Sequence, residues 1–160
     1  MRAKPHGGGE RPVGLDDTPL EEVIRIANFR AALREFLQHS EQAARSWGLT
    51  PQRYLLLLAI KGAPDGSERL RFIDVAERLK LSRNTVSELS ARAEQLGLIT
   101  REPSLDDARS VYLRLTKEGE SRLAGALAEH ERYRHELAVA FQNLAETFHA
   151  ASGRRTQRHR

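Results

Sequence analysis

Three side chains near the start of one short segment carry the clearest chemistry. In the run Ser82-Arg83-Asn84-Thr85-Val86-Ser87-Glu88, Arg83 offers the paired donors that match guanine O6 and N7. Asn84 offers the donor and acceptor that match adenine N6 and N7, and Ser87 is short enough to let a backbone approach closely. Thr85, Glu88 and Arg92 stand beside them as secondary contacts, Glu88 either accepting from cytosine N4 or bonding a neighbouring arginine. Arg83 and Asn84 serve equally well to hold phosphates, which orient a protein without specifying sequence. Further on, Arg109 stands near the acids Asp106 and Asp107. An arginine at a loop tip suits the narrow minor groove, where the negative potential is enhanced. Adjacent aspartates would repel DNA unless paired; the candidate is Asp107, with Arg109 or Arg92 as its partner.

Other chemistry is poorly represented. His130 and His135 frame an H-E-R-Y-R-H run, but zinc-binding helices space their histidines by four. A spacing of five turns them about 140° apart. His130 falls on an apolar stripe and reads as a tolerated, half-buried histidine. There is no Gly-rich phosphate loop and no nucleophile elbow, so neither enzymatic activity, cofactor nor metal is expected. The chain has no cysteine, which excludes disulfides and thiolate ligands and fits a reducing cytoplasm. No apolar run approaches the ~18 residues of a membrane span, and no signal-like hydrophobic segment opens the chain.

The elements that hold these residues follow from local signals. Ser82 caps a helix whose apolar side is Val86, Leu89, Ala93 and Leu96, ending at Gly97. Leu98–Arg101 and Val111–Leu115 alternate as two strands of a wing, in which Arg101 and Arg114 are strand residues and Arg101 is a candidate support. Phe72 to Leu79 forms a preceding short helix with Ile73, Ala76 and Leu79 inward, so the pair makes a helix-turn-helix. Arg71 is a poor cap for it, and Lys80 occupies the turn. Leu70 marks a short strand ahead of it.

Upstream, Thr50 and Pro51 start a helix with Leu49 stapled onto Tyr54, and residues 54–60 are apolar nearly all round, predicting a central, buried helix. Before it, Thr18 as cap and Pro19 at the first position open a long helix to about Ser46, with Val23, Ile24, Ala27, Ala31 and Phe36 on one apolar face. After the wing, one long helix is expected over 117–150, striped by Leu123, Leu127, Leu137, Phe141, Leu144 and Phe148. Two long amphipathic helices exceed the needs of one small core and predict a dimerisation layer. The fold class is mainly α with a small β-wing: a winged helix-turn-helix lobe over about 50–115, plus dimerisation helices about 18–46 and 117–150. Residues 1–17 read as a disordered arm and 151–160 as a basic disordered tail.

The net charge of +4 overstates the basic character. The segment after Gly153 contributes four arginines and no acid, and the remaining 22 basic residues balance the 22 acidic ones. Binding to nucleic acid must then rest on placed charges rather than on a general field.

Three stretches carry a family resemblance: GLTPQRYLLL at 48–57, DVAERLKLSRNTVSELSARAEQLGLITRE at 74–102 and DDARSVYLRLTKEG at 106–119. They resemble the MarR family of bacterial winged-helix regulators; the third matches its D-x-R wing motif followed by L-T-x-x-G. The resemblance, spanning roughly 18–150, implies a homodimer that binds a pseudo-palindromic operator on double-stranded DNA, usually as a repressor. It also implies release by a small aromatic or phenolic effector. By position it gives Arg109 the wing-tip role and Asp107 the supporting one. Trp47, Phe36 and Tyr54 are the candidate lining of an effector cavity. The competing expectation is a winged helix that contacts protein instead of DNA.

Overall fold

Helix caps and left-handed glycines mark most boundaries of this chain. The computed structural model describes residues 18–104 and 110–157, with side chains up to residue 146 in the last helix. The elements in order are α1 (Leu20–Ser46), α2 (Pro51–Lys61), β1 (Arg69–Arg71), α3 (Phe72–Leu79), α4 (Arg83–Gln95), β2 (Ile99–Pro103), β3 (Val111–Leu115), α5 (Lys117–Glu129) and α6 (Glu131–Gln157). The expected tip residues Asp106, Asp107 and Arg109, the arm 1–17 and the Phe148 side chain lie outside the described residues.

The strands form one antiparallel sheet in the order β1-β3-β2, so the wing has three strands, with Leu70 facing Leu113 and Arg101 facing Leu113 from the other side. Leu56, Leu57, Ile60, Val75, Val86, Leu98, Ile99 and Leu113 are fully or almost fully buried and join α2, the helix-turn-helix and the sheet in one core. Burying such aliphatic side chains supplies most of the driving force, at ~1.5–3 kcal/mol each.

Residues 151–157, expected as part of a disordered tail, belong to α6, and four further sequence expectations need correction. Pro19 stays extended at ψ 134°, so the first turn of α1 closes on its carbonyl, which accepts from Glu22 and Val23, and Thr18 is not the cap. The apolar residues of α1 divide between two faces. Phe29, Leu33 and Phe36 are half-buried, whereas Leu20, Ile24, Ala27 and Ala31 form an exposed stripe roughly opposite them. In α2, Leu55 and Leu58 are exposed because the core covers only one side. Finally, the expected single helix over 117–150 breaks at His130, with φ −112° and ψ 22°. No Gly or Pro causes this. The His130 ring is drawn into the core, and Arg134 donates to the Leu127 carbonyl near the break.

Candidate nucleic-acid interface

The recognition segment starts with a complete cap. The Ser82 hydroxyl accepts from the Thr85 backbone N–H at 3.1 Å and bonds the Thr85 hydroxyl at 2.8 Å. Thr85 is therefore half-buried and occupied in the cap. The turn before it is closed by Lys80, whose φ of 54° places a non-glycine residue in the left-handed region. Arg71, which offers α3 no cap bond, grips Asp74 instead with Nε at 2.7 Å and a second nitrogen at 2.9 Å.

One side of α4 anchors it. Val86, Leu89, Ser90 and Ala93 are buried there. Leu96 was expected on this side but is 48% exposed, because the helix ends at Gln95 and the chain turns at Gly97, φ 69°. Ser90 takes part of its place, with a hydroxyl that finds no partner among the described residues. On the other side Arg83, Asn84, Ser87, Glu88 and Arg92 are exposed. Among the described residues, the side chains of Arg83, Asn84 and Ser87 make no hydrogen bond or ion pair with protein. Glu88 lies 3.8 Å from Arg92 on the next turn, which partly neutralises an acid on this face.

Charges also tie the wing to α4. Arg101 on β2 reaches Glu94 on α4 at 3.0 Å, so its supporting role is to brace the strand against the helix. Arg114 pairs with Glu102 across the β2–β3 ladder at 3.1 Å, and Arg69 lies over the Tyr112 ring at 4.5 Å. The Ser104 N–H donates to the Ser110 carbonyl at 3.0 Å, closing the hairpin below its tip. Glu94 escaped sequence reasoning; its only signal was an opposite charge seven residues away across a glycine turn.

The motif Leu115-Thr116-Lys117-Glu118-Gly119 now has a physical reason. The Thr116 hydroxyl donates to the Gly97 carbonyl at 2.5 Å and accepts from the Gly119 N–H at 3.1 Å, so one side chain ends the recognition segment and starts α5. A Cβ on Gly119 would lie 2.1 Å from the Leu98 carbonyl oxygen. Only glycine lets α5 sit this close to the wing.

The three aromatic residues of the expected effector cavity separate. Phe36 and Tyr54 both approach the His130 ring, at centroid distances of 5.1 and 6.4 Å. Trp47 instead packs over Gly125 and donates from its indole N–H to Glu129 at 3.0 Å. His130 itself is only 2% exposed, a buried rather than half-buried residue. A cleft of about 280 Å³ beside it is lined by His39, Gln42, Ala43, Glu129, His130 and Tyr133.

Two helices joined by a tight turn, followed by a short antiparallel sheet, define a winged helix-turn-helix protein. Residues 47–110 match the MarR family model. The transcriptional regulator HosA of Escherichia coli is 34% identical over 106 residues, covering 66% of this chain and 76% of HosA. The HTH-type transcriptional repressor MdtR of Bacillus subtilis is 32% identical over 111 residues, covering 67% of this chain and 66% of MdtR. Among solved structures, Sco3205, a MarR family transcriptional regulator from Streptomyces coelicolor in complex with DNA, superposes with a TM-score of 0.62 at 20% identity, covering 91% of both chains. The chain belongs to the MarR family of transcriptional regulators.

Proposed function

We propose that this chain represses transcription as a homodimer that reads a pseudo-palindromic operator with α4. The observation that carries this reading is the exposed row Arg83, Asn84 and Ser87, unpaired among the described residues and presented on a helix locked by Ser82 and braced through Glu94. Donors left open in this way suit base edges in the major groove. Arg92 and Glu88 extend the face and Thr85 supports its cap. In this reading Arg109, supported by Asp107, would serve the minor groove. Repression is suggested by the name of MdtR.

Dimerisation would use α1 with α5 and α6, leaving residues 50–115 as the reading lobe. The exposed stripe Leu20, Ile24, Ala27 and Ala31 supports it, since a lone chain gains nothing by showing water such a row. Two copies would set their α4 helices in successive major grooves, ~34 Å apart. A small aromatic effector would enter near Phe36 and Tyr54, with Trp47 at the edge. None of the described helices is long and apolar enough to cross a membrane, and a DNA ligand implies residence in the cytoplasm.

Selection of bound duplexes from random DNA, at stated salt, tests this reading. The expected product is a palindrome with half-site centres about 10 base pairs apart. Asn84→Ala should relax one base position, at ~1–3 kcal/mol of discrimination, and leave the others unchanged. Arg109→Ala should weaken binding to all sequences and reduce the salt slope by about one. No enriched sequence at physiological salt would overturn DNA reading and favour a protein-contact role for the same face.

A further inference from the structure

His130 stands where α5 and α6 meet, and its surroundings are unusual. The ring is 2% exposed, lying against Phe36 of α1 and Tyr54 of α2. Its Nδ1 faces an Arg134 nitrogen at 3.2 Å, and the same arginine nitrogen donates to the Leu127 carbonyl. A guanidinium can only donate. Nδ1 must then accept, which places the proton of a neutral imidazole on Nε2. That Nε2 is buried and has no partner among the described residues.

The arrangement favours the neutral ring. Adding a proton puts an N–H on Nδ1, pointing at an arginine that has nothing to accept with. It also places a buried positive charge beside a second one. The Leu127 and Ala126 carbonyls favour a protonated ring, but burial and the Arg134 charge outweigh them. From α1, His39 adds a further potential cation and is stacked on Tyr133 of α6 at 3.6 Å. From α2, Tyr54 presents a phenol that burial holds above its usual value, so it stays neutral. From α5, the Glu129 carboxylate is occupied by the Ser46 hydroxyl and the Trp47 indole, each at 3.0 Å. Burial first, and the Arg134 charge second, hold His130 below the ordinary histidine value of 6.5.

We infer that His130 is an acid-sensitive latch at the α5–α6 joint: neutral, it locks the reading lobe to the helical layer; protonated, it leaves the core, loosens the joint and weakens DNA binding. Its last step rests on the DNA reading proposed above. The sign follows from linkage. The unfolded or expelled ring binds a proton at ordinary pH values while the buried ring does not, so the closed joint is fully favoured above pH 6.5 and loses ground as pH falls below it. Each unit by which burial depresses the histidine makes the joint about tenfold easier to open at acid pH.

The test uses the full chain. Proton resonances of the six histidines are followed against pH, with hydrogen exchange of the amides from Leu127 to Arg134 measured at pH 5.5 and 7.5. Expected are a His130 midpoint below 6.5 and joint amides that open as it titrates, after correction for intrinsic exchange. Arg134→Gln should raise that midpoint, which a histidine serving only as filler would not show. His130→Leu should remove the pH dependence of opening. A duplex enriched from the random pool should lose affinity between pH 7.5 and 5.5 in the wild type and much less in His130→Leu. Should His130→Leu fail to fold, the wild-type and Arg134→Gln titrations decide. A His130 midpoint at or above 6.5, or equal exchange at the two pH values, overturns the latch. Equal loss of DNA affinity in wild type and His130→Leu overturns its regulatory step. If no duplex is enriched at any pH, DNA reading fails, while the titration and exchange still judge the joint.

Discussion

The first turn of α5 attaches the reading lobe and its last turns attach the helical layer, and the two junctions use different materials. At the first turn, the Thr116 N–H donates to the Leu98 carbonyl, its hydroxyl donates to the Gly97 carbonyl and Gly119 lies against Leu98, so every contact ends on the backbone of the lobe. At the last turn, Trp47 covers Gly125, Glu129 holds Trp47 and Ser46, and His130 meets Phe36, Tyr54 and Arg134. There the partners that α5 meets are side chains. Backbone cannot give way without displacing a strand, whereas a partly exposed side chain can swing. The wing and α4 are thus held to α5 as one rigid head, and the head is attached to the helical layer by a joint that can adjust.

Each junction has its own glycine, and alanine at each separates the two designs. Gly119→Ala should have the largest effect. Its Cβ would lie 2.1 Å from the Leu98 oxygen, and Leu98 is buried at the start of the wing. Removing a helical glycine returns about 1 kcal/mol. Forcing α5 away from the wing costs more, and the expected net loss is about 2 kcal/mol. Chemical denaturation followed by circular dichroism measures it. A neutral Gly119→Ala would show that the first junction yields, and the contrast between the two ends would collapse.

Gly125→Ala should cost less. Its Cβ would come within 2.2–2.4 Å of the Trp47 indole, a side chain that is 41% exposed and free to move outward. The indole then loses its contact and its bond to Glu129, a loss of about 2 kcal/mol, of which better helix propensity recovers about 1. Trp47 is the sole tryptophan, so its fluorescence reports the movement directly as a red-shifted emission. A loss equal to that of Gly119→Ala, with unshifted emission, would mean that both junctions are rigid.

The same distinction explains what could be read from the chain. Thr50, Ser82 and Thr116 all cap helices, and Gly48 and Gly97 both adopt left-handed φ near 68°, because caps and terminators act over three or four residues. The bounds of α3 and α4 and the exposed row Arg83, Asn84 and Ser87 were legible for that reason. The break at His130 was not, since residues 126–152 contain no Gly or Pro and the cause is burial against α1 and α2. Helical periodicity located the apolar residues of α1 but could not tell that Ile24, Ala27 and Ala31 face away from Phe36. The brace between Glu94 and Arg101 needs the turn at Gly97 to bring its halves together.

Ser90 offers the smallest effect and tests the rigid head from within. It sits on the buried side of α4, 0% exposed, with a hydroxyl that bonds nothing among the described residues. A buried hydroxyl without a partner is unfavourable relative to a methyl group of similar shape, and alanine is also the better helix former. Ser90→Ala should therefore stabilise the fold by about 0.5–1 kcal/mol, read as a higher denaturation midpoint with an unchanged slope. Arg83, Asn84 and Ser87 project from the other side of α4, so affinity for a selected duplex and its salt dependence should not move. Weaker DNA binding in a more stable Ser90→Ala variant would show that α4 shifts on its bed. The reading head would then be adjustable too, and rigidity could no longer distinguish the first junction from the last.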